Sequence, residues 1–354
     1  AAFGMEALRV ATTGNSNTAL GTYSLYDLNT GYQNVAVGLS SGENITDGNN
    51  NVLVGYRAGY TGTSPDGSIG IGYRALYNNT ANYSVAIGYD SGFAITSGTG
   101  NVLVGAFTGD SITTGDSNTA LGYAALSAED TGTRNTAIGN EALKVLNYDG
   151  DGYNVAVGHR AGYALTTGTL NTLLGSFAGY TLTTGGENTS LGYAALYHNV
   201  TGNYNTAIGR GAGARFLQSN STALGYYAGH YASGSYNTFL GSNAGKGGTT
   251  SAPYSSGQYN TAAGYLALTA FTTAIHNVAF GSDSMRTNTS GNYNTAYGSS
   301  AMRTNTTGGA NVAIGYAAAR DLDGGDYNVV VGNGAGYNLG NVDNCILIGD
   351  EAGY

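Results

Sequence analysis

One short phrase returns along the whole chain: an Asn or Ser, three residues that are mostly β-branched or small and apolar, then a glycine. It reads NVLVGYRAGY from Asn51, NTALGYAALS from Asn118, NVAVGHRAGY from Asn154 and NVAIGYAAAR from Asn311. Anchored on its glycine, it runs from Gly4 through Gly21, Gly38 and Gly55 to Gly349, almost always in steps of 17 residues. Three steps are 16 residues, one is 19 (to Gly158) and one is 23 (to Gly264). Self-similarity at a fixed period is the mark of a repeat architecture, in which each unit buries its apolar face only by stacking on its neighbours. The repeat leaves no stretch for a second domain, so residues 1–354 are expected to form a single repeat domain.

The repeat is numbered here so that the anchoring glycine is position 5. Positions 2 to 4 form a short apolar run between Asn and Gly, which reads as a strand. Helix is disfavoured, because each interrupting glycine costs about 1 kcal/mol relative to alanine. A strand this short cannot stand alone, but copies stacked about 4.8 Å apart give it a ladder partner on each side. The expected fold is therefore all-β: a parallel β-solenoid of about 20 coils with a 17-residue repeat. Side chains alternate along a strand. The bulk of position 4 assigns positions 2 and 4 to the interior and sends position 3 outward. Position 3 is apolar too (Ala36, Leu53, Ala86, Leu103), which predicts burial against a second copy of the chain. The small residue at position 8 (Ala58, Ser91, Thr108, Ala125, Ala161) suggests a tight corner. The position 5 glycine suits a positive φ or crowded backbone. The Asn column at position 1 suits a hydrogen-bonded ladder. Tyrosines keep to columns at position 6 (Tyr56, Tyr73, Tyr89), at position 10 (Tyr60, Tyr77) and just before position 1 (Tyr236, Tyr259, Tyr293). They read as stacks along the solenoid, or as an aromatic surface for sugars.

Composition narrows the functions. With 60 Gly but only 2 Pro the chain is not collagen. A net charge of -9 with 12 Lys and Arg argues against a nucleic-acid partner. No apolar run approaches the ~20 residues of a membrane span. The lone Cys345 forms no internal disulfide.

Chemical machinery is sparse. His159, His198, His230 and His276 sit in different repeats without a shared motif, zinc spacing or nucleophile elbow. Glycine runs such as GYRAGYTG lack the Lys-Ser/Thr ending of a phosphate loop. Asp-Gly turns at Asp47, Asp66, Asp149, Asp151 and Asp323 read as turn chemistry before Ca²⁺ binding. No catalytic, cofactor-binding or metal-binding residue is nominated, and a non-enzymatic protein is expected. Glycosylation acceptor patterns occur at Asn44, Asn78, Asn82, Asn188, Asn199, Asn220, Asn288 and Asn305; Asn44, Asn78, Asn199, Asn288 and Asn305 fall on the expected outer turn. The longer segments KVLNYDGDGY from Lys144 and KGGTTSAPYSSGQY from Lys246 are expected to bulge outward, with the core resuming in phase at Val155 and Thr261.

The phrase NTAIG followed by a small residue resembles the head repeats of trimeric autotransporter adhesins. The longer NTALGYAALSAEDTGTRNTAIG from Asn118 resembles repeats of bacterial and phage tail-fibre-domain proteins. The resemblance implies a left-handed parallel β-roll, commonly trimeric, in a fibre outside the cell or on a virion or cell surface. The expected partner is the chain itself, as a trimer or head-to-tail fibre, with cell-surface glycans as a further candidate. The chain starts and stops in mid-phrase (AAFGMEAL, CILIGDEAGY), which predicts end-to-end stacking or an excerpt of a longer repeat array. The alternative function is a carbohydrate- or ice-binding solenoid surface.

Overall fold

Three residues per repeat adopt extended backbone, and everything between them is turn. The computed structural model describes all of residues 1–354. It contains 21 short strands and no helix, from β1 (Ala2–Phe3) to β21 (Ile346–Ile348). The chain divides into two compact units, Ala1–Ser176 and Phe177–Tyr354. The first holds β1 to β11 (Thr172–Leu174) and the second β12 (Thr189–Leu191) to β21. Within each unit every strand pairs in parallel with the next, and equivalent positions face each other: Ala36 with Leu53 and Leu103 with Ala120 in the first, Ala207 with Ala223 and Ala296 with Ala313 in the second. Each unit is thus a β-solenoid with one repeat per coil.

The strand faces are the reverse of the sequence expectation. Position 3 points inward and is buried from Ala19 to Val330, whereas positions 2 and 4 face solvent. Leu53 and Leu103 belong to the core and do not meet a second copy of the chain. The reason is the thinness of the coil. Position 3 shares its interior space with position 9, and only one of the two is ever large. Where position 3 is Leu53, Leu103, Leu173 or Phe239, position 9 is Gly59, Gly109, Gly179 or Gly245. Where position 9 is Leu25, Leu126, Leu143 or Leu268, position 3 is Ala19, Ala120, Ala137 or Ala262. A Cβ on Gly109 would lie 2.8 Å from Leu103 Cδ2, and one on Gly245 only 2.1 Å from the Phe239 ring. Coils small at both positions are filled by their neighbours. A Cβ on Gly42 would lie 2.9 Å from Leu25 and 3.0 Å from Leu53, one coil to either side. Position 12 completes the core with Leu28, Ile45, Ile95, Ile112 and Phe216.

The turns fit the expectation. At position 5, Gly55 has φ +136° and a Cβ there would sit 2.3 Å from the Gly72 carbonyl oxygen, so positive φ and crowding both require glycine. The corner closes as the position 8 N–H reaches back to the position 5 carbonyl, as in Ser24 to Gly21 at 3.3 Å. The small position 8 side chain is buried, and Ser41 Oγ donates to the Leu53 carbonyl of the next coil at 2.9 Å. The Asn column is a buried ladder. Asn34 N–H donates to Asn17 Oδ1 at 2.9 Å, Asn51 N–H to Asn34 Oδ1 at 3.0 Å, and Asn34 Nδ2 to the Gly48 carbonyl at 2.7 Å. The second unit repeats it through Asn294, Asn311 and Asn328. Each amide therefore ties its own coil's turn to the next coil's strand. The two long segments leave the register intact: Val155 pairs with Thr136 and Thr261 with Thr238.

The shared interior makes a testable pair. Leu103→Ala is expected to cost about 2–5 kcal/mol, as large-to-small core changes do. Leu103→Ala with Gly109→Leu should regain most of this, because leucine occupies position 9 at φ 55° in Leu126 and φ 47° in Leu143. Gly109→Leu alone should destabilise by overpacking. Denaturant unfolding of the three variants checks the sign of the coupling, and additive losses would refute the shared-volume account.

Candidate functional site

Three exposed features have the regularity that binding needs. The first is the outer sheet face. Positions 2 and 4 form two parallel columns, mostly of Thr, Val, Ile and Leu with Phe280 and Tyr297 among them, in which no charged residue occurs in any coil. Their side chains are open to solvent even where large: Leu121 is 47% exposed, Leu224 42% and Phe280 47%. In the second unit five consecutive coils place Thr189, Thr206, Thr222, Thr238 and Thr261 in the outward position 2 column.

Aromatic columns are the second feature. Strand spacing brings rings of equivalent positions face to face. At position 6, Tyr56, Tyr73 and Tyr89 stack at 5.2 and 4.8 Å. At position 10, Tyr60, Tyr77 and Phe93 stack at 5.1 Å. Before position 1, Tyr236, Tyr259, His276 and Tyr293 stack at 4.9, 4.8 and 5.1 Å with planes within 5° of parallel. Arg57 and Arg74 lie over neighbouring rings at 4.8 and 4.7 Å, adding cation–π attraction. The expected stacking is thus present.

The third feature is where such columns break. Ala310 interrupts the ring column between Tyr293 and Tyr327, leaving an open pocket of about 260 Å³ edged by Asn292 and Asp326. Ala214 interrupts the position 10 column between Tyr197 and His230, leaving a more enclosed pocket of about 120 Å³. His198 and His230, which the sequence leaves in unrelated repeats, line this second pocket together. Burial, with help from Arg215 and His230, pushes the His198 imidazole down to about 4. Burial also lowers His230 against the opposing pull of the Gly211 carbonyl, to which its Nδ1–H donates at 2.7 Å. The repeat's regularity hid this site, because its signal is an absence: a small residue where neighbouring coils carry rings.

Other candidates resolve into structure. Asn199, Asn288 and Asn305 do not lie on an open outer turn, contrary to expectation; they are fully buried at position 12. Each Oδ1 accepts a glycine N–H three residues on, at 2.7, 2.9 and 3.0 Å, so no glycan fits there. Asn188 is buried in the ladder. The Asp-Gly carboxylates are engaged along the stack: Thr30 Oγ1 donates to Asp47 at 2.8 Å and Thr306 Oγ1 to Asp323 at 2.6 Å. No three His, Cys, Asp or Glu side chains come together as a metal cage. No family model matches the chain, and no curated protein matches it.

Glu129 occupies the position 12 slot taken elsewhere by asparagine and is fully buried. Its Oε1 accepts the Gly132 N–H at 2.7 Å, while Oε2 has no partner. Burial raises its pKa above the ordinary 4.5, with the N–H groups of Gly132, Tyr148 and Asp130 opposing. The unfolded chain releases this proton near 4.5 and the native state holds it to higher pH. Its contribution to stability is thus intact below that value and lost as pH rises through the native pKa. Glu129→Gln, which keeps the acceptor and removes the charge, should therefore gain in Tm over the parent as pH rises from 4 to 8, with the two converging at pH 4. A difference that is constant with pH would show that Glu129 does not titrate this way.

Proposed function

We propose that the protein is a structural subunit of an extracellular fibre, in which solenoid units pack side by side through the outer sheet face. The carrying observation is the uncharged pair of outward columns, apolar at position 4 and mixed threonine and valine or isoleucine at position 2. Ten strands at about 4.8 Å, two side-chain columns wide, present on the order of 500 Å² per unit, at the upper end of what a solitary protein leaves exposed. Soluble proteins that stay monomeric rarely leave a larger contiguous uncharged patch open to water. Here β-branched and leucine side chains repeat at strand spacing, which suits interdigitation with an identical surface. The location outside the cell rests on the likeness of the repeated phrase to fibre repeats, and the stacked tyrosines supply flat surfaces that suit adhesion to glycans.

A second reading has its own support. The five outward threonines from Thr189 to Thr261 form a regular hydroxyl column of the kind that an ice- or carbohydrate-binding surface uses. The adjacent leucine and isoleucine column favours self-association over it.

Leu121→Glu, Leu191→Glu and Leu224→Glu together place charge on solvent-facing residues and should leave the fold's Tm within a few degrees. Sedimentation should show the parent chain assembling with concentration and the triple variant reduced to single chains. A parent that stays monomeric at high concentration, with thermal hysteresis in ice growth, would replace the fibre reading with the second one.

A further inference from the structure

We infer that the pocket at Ala214 is a binding site for a carboxylate-bearing six-membered ring. The argument begins with what built the pocket. Tyr180 and Tyr197 stack at 5.1 Å in the position 10 column, and the next coil puts Ala214 where a third ring belongs. Position 7 of the same coil is Gly211, where a Cβ would lie 2.4 Å from the Tyr227 ring. The Tyr227 ring and His230 therefore lean over Gly211 from the next coil, and the space left by the missing ring at Ala214 is walled by them on one side and by Tyr197 and His198 on the other. The pocket measures about 120 Å³ and opens on one side, whereas an enclosed cavity on the order of 150 Å³ holds benzene.

Charge selects the ring. Arg210 and Arg215 line the pocket, and neither forms an ion pair within the chain. Instead Arg210 lies over Tyr193 at 5.6 Å and Arg215 over Tyr254 at 4.7 Å, so both guanidinium edges keep donors to spare. The absence of a counter-charge is regional. Of the 21 carboxylate side chains in this acidic protein, none lies between Asn188 and Ser282, where Arg210, Arg215 and Lys246 are the fixed charges. A guanidinium fork matches a carboxylate in two-point geometry. The two histidines add a polar edge; with Nδ1–H of His230 committed to the Gly211 carbonyl, its Nε2 is an acceptor, which suits a ligand hydroxyl, while the carboxylate falls to the arginines. Aromatic walls fit the flat face of a sugar acid as well as that of an aromatic acid, and the shared chemistry is ring plus carboxylate.

Titration calorimetry and imidazole NMR with four probes separate the contributions: glucuronate, benzoate, acetate (carboxylate without ring) and glucose (ring without carboxylate). At least one ring acid should bind tenfold or more tighter than acetate and glucose and should move the His198 and His230 signals; which of the two does so identifies the ligand as a sugar acid or an aromatic acid. Ala214→Tyr restores the column found in neighbouring coils and should abolish that binding with Tm unchanged. Arg215→Gln, at a partly buried position on the rim, should weaken it about tenfold and serves equally if the tyrosine variant fails to fold. Binding of acetate or glucose as tight as that of both ring acids, no binding of either ring acid, or undiminished binding by a folded Ala214→Tyr protein would overturn the assignment.

Discussion

The interior of each coil has room for one large side chain between positions 3 and 9. Much of the remaining architecture follows from that limit. A coil that spends its space on Leu103 must have Gly109, and one that uses Leu126 must have Ala120. Because interiors pack at crystal-like density, neither a void nor a second leucine is tolerated cheaply. The surplus of bulky apolar residues that the strands need for β-propensity therefore goes outside, to positions 2 and 4. The largely apolar exterior is thus a consequence of a thin core.

A thin apolar core does not stabilise such a fold unaided, and the polar interior completes it. The Asn column supplies each coil with an acceptor for the next coil's N–H and a donor for its own turn. Buried amides satisfied on both sides add a net contribution of about 1 kcal/mol per hydrogen bond, and they resist register slip, because a displaced coil leaves them unpaired. Position 12 accepts both apolar and polar fillers. Leucine, isoleucine, phenylalanine and asparagine serve there, and Glu129 serves with one carboxylate oxygen unpartnered.

Outside, the same strict stacking turns isolated tyrosines into columns. A repeated surface of this kind offers identical binding geometry on every coil and little selectivity. The proposed ring-acid site lies where the repeat is broken. Ala214 and Ala310 are unremarkable alanines in the sequence, but each opens a ring-sized space in a column. The break at Ala214 coincides with the stretch of chain that lacks carboxylates, which gives that space a sign of charge as well as a shape.

The period determined the fold class, the coil register, the role of the position 5 glycine, the Asn ladder and the harmlessness of the two long segments, because each of these is a property of one repeat against the next. Which strand face is inside was not legible. The alternation of Thr18, Ala19 and Leu20 offers two faces, and choosing the bulkier for the core assumes a wide interior; only the tertiary structure shows that position 9 already occupies it. The burial of Asn199, Asn288 and Asn305 was hidden for the same reason, since position 12 reads as outer turn until the coil closes around it. The pocket at Ala214 needed three dimensions most of all. It joins side chains from three successive coils, and residues such as His198 and His230, far apart along the chain, become neighbours only when those coils stack.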